Sequence, residues 1–288
     1  MSPASATLYF KDANGLVSPI SMGLPDKVEI AKAALQYMVE DGPGQKLLPK
    51  GFIGLLPKGT QVKGIDVRNK LATVDFSKAF NEYNVQDERK IMEAVTWTLT
   101  SFPSIEQVKI RVEGKDLKEM PMAGTPIDGS LSRAMGINIE KPDNVEYGRA
   151  TPVTLYFFGP GPDQYKYYVP VTRLVKRTDD VAQAAVQELI KGPDQSKGLT
   201  PVFAPSTEVL QVNKTNDLVT VNFSDKVLGM DKKAPAEALQ AVVLSLTENT
   251  GVPKVQIEVN GDAKIASTDN QNYSKPVMKP VHLNEIKM

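Results

Sequence analysis

The chain has 288 residues, enough for about two domains at the usual ~100–200 residues each, and its 41% hydrophobic and 24% charged residues are the balance of a globular protein. Lysine plus arginine equals aspartate plus glutamate at 34 each, so no overall field draws the chain to nucleic acid or anionic lipid. The absence of cysteine removes disulfides, thiolate nucleophiles and cysteine-held metals together.

The opening Met1-Ser-Pro-Ala-Ser-Ala6 lacks the basic-then-apolar order of a signal peptide. Thr7 to Lys11 predicts a short strand, followed by a turn at Asp12-Ala-Asn-Gly15 and a second extended segment whose Pro19 marks an edge or a bulge. A helix is expected over Lys27–Glu40, with Val28, Ala31, Leu35 and Met38 on one face, Asp26 as its cap and Gly42-Pro43 as its stop. A loop rich in glycine and proline leads to strands at Gln61–Val67 and Leu71–Phe76, joined as a hairpin by Arg68-Asn-Lys70. The next helix, Asp87–Phe102, carries Ile91, Val95, Thr98 and Leu99 along one stripe. In the strand that follows, Val108, Ile110 and Val112 alternate with Lys109, Arg111 and Glu113. A loosely patterned stretch then ends at Gly136-Ile-Asn138.

From there the pattern begins again. Thr154-Leu-Tyr-Phe157 repeats Thr7-Leu-Tyr-Phe10 at an offset of 147 residues, and Val255–Gly261 repeats Val108–Gly114. Leu71-Ala-Thr-Val-Asp-Phe-Ser77 returns as Leu218-Val-Thr-Val-Asn-Phe-Ser224, and Gly192-Pro193 stops a helix expected over Asp180–Lys191 as Gly42-Pro43 stops the first. A Gly159-Pro-Gly-Pro162 turn precedes an extended Lys166–Val175, whose Pro170 matches Pro19, and His282-Leu-Asn284 matches the final Gly136-Ile-Asn138. A period this long is a duplicated domain rather than a solenoid repeat. The joint falls in the polar Lys141–Gly148 segment, giving domains over 1–144 and 145–288. Each copy reads ββαββαβ plus a trailing strand. Together they make an α+β fold of two tandem, homologous two-layer sandwiches, each a mixed β-sheet with two helices on one face. The other face is expected to be polar, with Thr7, Tyr9, Thr73, Asp75, Lys109 and Arg111.

Chemistry has few places to reside. The single histidine, His282, has no nucleophile elbow to serve, and the first copy carries Gly136 in its place. Gly54–Thr60 lacks the Gly-Lys-Ser/Thr ending of a phosphate loop and reads as a turn before a strand. Asp75 could be an acid, but its repeat partner is Asn222, which keeps a hydrogen-bonding side chain and abolishes the acid. Tyr165, Tyr167 and Tyr168 could stack on sugars or bases, or pack across strands. No catalytic, cofactor-binding or metal-binding residue is expected, and the chain is read as not an enzyme. Binding by strand addition at a sheet edge fits a sequence this silent; Pro19 and Pro170 then mark a blunted edge, and the opposite edge is the docking side. The alternative is a cell-wall glycan-binding or glycan-cleaving protein that uses the tyrosines and Asp75.

The order T-L-Y-F, helix, Gly-Pro, Leu56-Pro-Lys-Gly-Thr60 and Ala72-Thr-Val-Asp-Phe-Ser77, written twice, resembles the GerM family of bacterial sporulation and germination lipoproteins with tandem GerMN domains. The likeness runs from about Ala6 to Asn284, with departures at Ser206, where the family has glycine, and at Asn222. The resemblance implies domains similar to ring-building modules and a non-catalytic scaffold without cofactor. It also implies protein partners in the channel complex between mother cell and forespore, and no nucleic acid. It implies an extracytoplasmic position in the outer forespore membrane, facing the intermembrane space. Membrane contact would come only through a lipid anchor outside the present sequence, the chain itself being soluble.

Overall fold

The computed structural model describes residues 4–25, 28–161 and 165–286. The first copy runs β1 (Ala4–Lys11), β2 (Val17–Leu24), α1 (Ile30–Tyr37), β3 (Val62–Arg68), β4 (Leu71–Phe76), α2 (Glu88–Leu99), β5 (Gln107–Val112) and β6 (Lys115–Asp116). The second repeats that order as β7 (Ala150–Pro160), β8 (Lys166–Lys176), α3 (Val181–Lys191), β9 (Val209–Lys214), β10 (Leu218–Phe223), α4 (Ala236–Thr250), β11 (Lys254–Val259) and β12 (Val277–Met278). This is the α+β order expected from the sequence. In each copy the first two strands form an antiparallel ribbon of their own, and the rest form a four-stranded mixed sheet, β3-β4-β5-β6 or β12-β11-β10-β9. Among the described residues, the named strands that pair in parallel are β4 with β5 and β10 with β11, the two pairs that a helix connects, since parallel neighbours need a crossover.

The chain forms two compact units: the residues up to Asn138 with the stretch from His282, and Ile139–Val281. The division at 144/145 follows the sequence repeat. The units part slightly earlier because Glu140 already pairs with β8, and the final stretch joins the first unit because Leu283 and Ile286 hydrogen-bond to Ser21 of β2.

In the first unit Val74 and Phe76 of β4 and Ile110 of β5 enter the core, as alternation requires. The single apolar stripe expected on α2 understates its burial, because β1 also packs against it. Met92, Glu93, Thr96 and Trp97 are therefore buried together with Ile91, Val95 and Leu99. Tyr9, expected on the polar face, is buried on this side, edge-to-face with Trp97 at 5.9 Å. Asp26, the expected cap of α1, lies outside the described residues. Val28 is 92% exposed rather than on the apolar face. The helix stops at Tyr37, short of Glu40, because the next backbone groups go to Leu56: its N–H donates to Met38 O, and Glu40 N–H donates to its carbonyl. Glycine is required at position 54, where a Cβ would lie 2.6 Å from Met38 O.

In the second unit α3 starts and stops as expected. Asp180 accepts from Gln183 N–H at 3.0 Å, and Gly192 terminates the helix with φ 88°. Of the expected turn at Gly159–Pro162, Gly159 and Pro160 belong to β7, and Pro162 lies outside the described residues. Gly159 faces Tyr167 across the ribbon. A Cβ there would come within 2.3 Å of the tyrosine ring, which instead lies over the bare backbone.

Candidate functional site

Asp75 stands on β4 between the core residues Val74 and Phe76 and points to the other face. Its Oδ1 accepts the Gly114 N–H at 2.9 Å. Gly114 and Glu113 form the two-residue turn from β5 to β6, both with positive φ, 75° and 49°, the signature of a type I′ hairpin. In the second copy Asn222 Oδ1 accepts from Gly261 N–H at 2.8 Å, and the turn residues Asn260 and Gly261 again have positive φ, 50° and 79°. A carboxylate oxygen and an amide oxygen are interchangeable in this role. The exchange of Asp75 for Asn222 alters charge and leaves the contact in place.

Arg111, opposite Asp75 in register on β5, and Lys109 both pair with Asp116 rather than with Asp75. Among the described residues no hydrogen bond joins His282 to a serine or an acid, and no group of three or more acids or histidines could hold a metal ion. Gly54–Thr60 closes as a turn, Thr60 N–H donating to Pro57 O, before β3. Tyr167 is buried, Tyr165 stacks on it at 5.5 Å, and Tyr168 lies 5.0 Å from Phe158 and donates its hydroxyl to Glu237 O. Burial raises the pKa of both Tyr165 and Tyr168. The cluster packs on its own hairpin, as cross-strand contact predicts, and is tied by Tyr168 to α4.

The edge opposite Pro19 and Pro170 is not free for docking. On β1, Tyr9 N–H donates to Thr98 Oγ1 at 3.0 Å, and on β7, Tyr156 N–H donates to Ser245 Oγ at 3.1 Å. Asn249 closes β7 further, accepting from Thr154 N–H at 2.8 Å and donating to Thr154 O at 2.6 Å. Helix side chains thus cover the edge that sequence reasoning left open.

Glu88 and Arg173 are among the buried charges that sequence reasoning missed. Glu88, at the start of α2, is 2% exposed and accepts from the Ala123 and Thr125 N–H groups at 2.7 and 3.0 Å. It also accepts from the hydroxyls of Tyr83 and Thr125. Burial alone would raise this carboxyl; the Thr125 hydroxyl and the other donors outweigh it and bring its pKa down to about 2. Arg173 sits within the apolar Val169–Val175 run of β8 and is 8% exposed. Its Nε donates to Glu140 Oε2 and its Nη1 to Glu188 Oε2, both at 2.9 Å, and its Nη2 donates to Gly192 O at 2.9 Å. The signal was available: a lone arginine in a buried strand demands acids and carbonyls around it.

Beside Arg173, the outer edge of β8, helix α3 and residues 140–145 enclose a groove of about 810 Å³. Glu140 enters it as an added strand residue, its N–H donating to Thr172 O and its carbonyl accepting from Leu174 N–H. Glu140 Oε1 is buried without a hydrogen-bond partner among the described residues. The Glu188, Asp180 and Asp194 carboxylates on the far wall already accept from Arg173, Gln183 N–H and Ser196 N–H. Lys141, Lys176 and Arg177 have no carboxylate within salt-bridge distance among the described residues.

Comparison with known proteins agrees with this duplicated architecture. The family model described as Germane, sporulation and spore germination, matches residues 7–118 and again 154–264. The spore germination protein GerM of Bacillus subtilis (strain 168) is 38% identical over 283 residues, covering 96% of this chain and 77% of that protein. The structure of the tandem GerMN domains of the sporulation protein GerM from Bacillus subtilis superposes with a TM-score of 0.92 at 37% identity, over 98% of this chain and 99% of that one. The two matches fall one on each sequence copy, so the protein belongs to the Germane family of sporulation and spore germination proteins, with two GerMN domains in tandem.

Proposed function

We propose that the chain is a non-catalytic sporulation scaffold that supports assembly and localisation of the channel complex between mother cell and forespore through contacts with its protein components. Its place in a sporulation family supports the setting. The observation that carries the non-catalytic part is the shared role of Asp75 and Asn222: an acid and an amide hold the same turn glycine, work that needs no proton transfer. The reading includes an extracytoplasmic position, with a lipid anchor in the outer forespore membrane and the domains in the intermembrane space. Fluorescent fusions of channel components test it in sporulating cells. Cells lacking the chain are expected to lose forespore localisation, and wild type and Asp75→Asn to restore it equally. Normal localisation without the chain would refute the scaffold, and failure of Asp75→Asn alone would refute the structural role of the acid.

A further inference from the structure

The groove beside Arg173 offers again a mode of binding that the chain already uses on itself. Residue 140 lies parallel to β8 opposite Arg173, bonded through its backbone to Thr172 and Leu174 and through its carboxylate to Arg173. Two residues on comes Pro142, which has no N–H with which to continue the ladder. In an antiparallel ribbon the backbone groups alternate between the two edges. Because Leu174 N–H points outward to Glu140, the Leu174 carbonyl and the Lys176 N–H point outward too, and neither meets a backbone partner beyond β7 among the described residues. The track for an added strand therefore continues past the point where the chain's own segment leaves it.

Arg177, the first residue past the end of β8, lines the same groove as Arg173. Arg173 is consumed by Glu140 and Glu188, whereas Arg177 and the neighbouring Lys176 are exposed and have no acid within salt-bridge distance among the described residues. Four residues separate Arg177 from Arg173, about 13 Å along a strand, so an acid bound there is screened from Glu140.

We propose that this groove binds an extended acidic peptide segment of a protein partner by strand addition to β8. The segment donates an N–H to the Leu174 carbonyl, accepts from Lys176 N–H and places a carboxylate on Arg177. This inference rests on the scaffold reading and names the contact through which it acts. So short a track, reinforced by one ion pair, implies a weak single-site affinity, on the order of 0.1 mM.

The test uses the full chain and fluorescently labelled octapeptides, followed by anisotropy. An alternating valine–glutamate peptide is expected to bind. An alternating valine–lysine peptide, and a valine–glutamate peptide N-methylated at every second residue, are expected to bind at least about tenfold more weakly. The double variant Lys176→Glu with Arg177→Glu changes two exposed residues and should weaken the first peptide by at least about tenfold, with an unchanged circular dichroism spectrum. Absence of binding by the acidic peptide, equal binding of the lysine or N-methylated peptide, or indifference to the double variant would each overturn the proposal. In sporulating cells the double variant separates the two readings. Full rescue of channel localisation by a chain that has lost the peptide leaves the scaffold standing and removes this groove as its contact; failure of the wild-type chain to matter removes the scaffold itself.

Discussion

Asp75 and Glu88 are both carboxylates that hold backbone N–H groups, yet they differ in what their charge contributes. Asp75 is half-buried and meets one N–H, so the oxygen matters more than the charge. Asp75→Asn is expected to melt within about 0.5 kcal/mol of wild type, and Asp75→Ala, which leaves Gly114 N–H without its acceptor, to lose about 1 kcal/mol. Urea denaturation checks both, and an Asn variant as unstable as the Ala one would contradict the assignment. Glu88 is buried among four donors, and its pKa falls from an ordinary 4.5 to about 2. A folded pKa below the unfolded one means that the unfolded chain binds the proton more readily. The contribution is thus complete above pH ~4.5 and is lost as pH falls toward 2. Glu88→Gln is expected to flatten the pH dependence of stability between about pH 5 and pH 2, measured by thermal melts across that range. An unchanged acid slope would show that Glu88 does not carry it.

At the scale of the elements, the stretch from His282 to Ile286 reaches far along the sequence, to Pro19 and Ser21. Leu283 N–H donates to Ser21 Oγ at 2.8 Å, Ser21 N–H to Leu283 O at 3.0 Å, and Asn284 Nδ2 to Pro19 O at 2.8 Å. Removing residues 282–286 is expected to speed hydrogen exchange at the Ser21 amide by at least about tenfold, because that N–H loses its acceptor. Unaltered protection at Ser21, followed by NMR, would contradict this pairing. The strands and helices were legible in the sequence because alternation and 3.6-residue periodicity are local signals, and seeing each twice confirmed the boundaries of β4 and β10. The stop of α1 was misread because it depends on Leu56, a residue distant in sequence. The burial of Tyr9 and of the whole girth of α2 was missed for a related reason. Nothing in the stripe of Ile91, Val95 and Leu99 announces that a separate ribbon covers the helix. The Arg173 cluster was legible in principle, the covered edges of β1 and β7 only in part, through the paired hydroxyls Thr98 and Ser245.

For the whole molecule, duplication gives an internal control that a single domain lacks. Where the copies differ without changing a contact, as at Asp75 and Asn222, the residue is held to its role by geometry. Where they differ in contact, specialisation begins. Glu88 pins the Ala123–Thr125 loop in the first copy, and the second copy has Pro235 at the corresponding place, just before α4. Among the described residues no helix is long and apolar enough to cross a membrane, and the chain's zero formal charge leaves recognition to local arrangements such as the β8 groove rather than to a long-range field.

The pairing of Leu283 with Ser21 spans 262 residues of sequence, and on the ribosome that distance becomes a delay. At roughly 5–20 residues per second, the outer edge of β2 waits between about ten seconds and a minute for the segment that covers it. During that time Asn138 holds the edge at Val17, and the stretch from Pro19 to Ser21 is left to whatever is nearby. A chaperone that shields strand edges would find its natural substrate in that interval, and a slow codon run late in the message would lengthen the exposure.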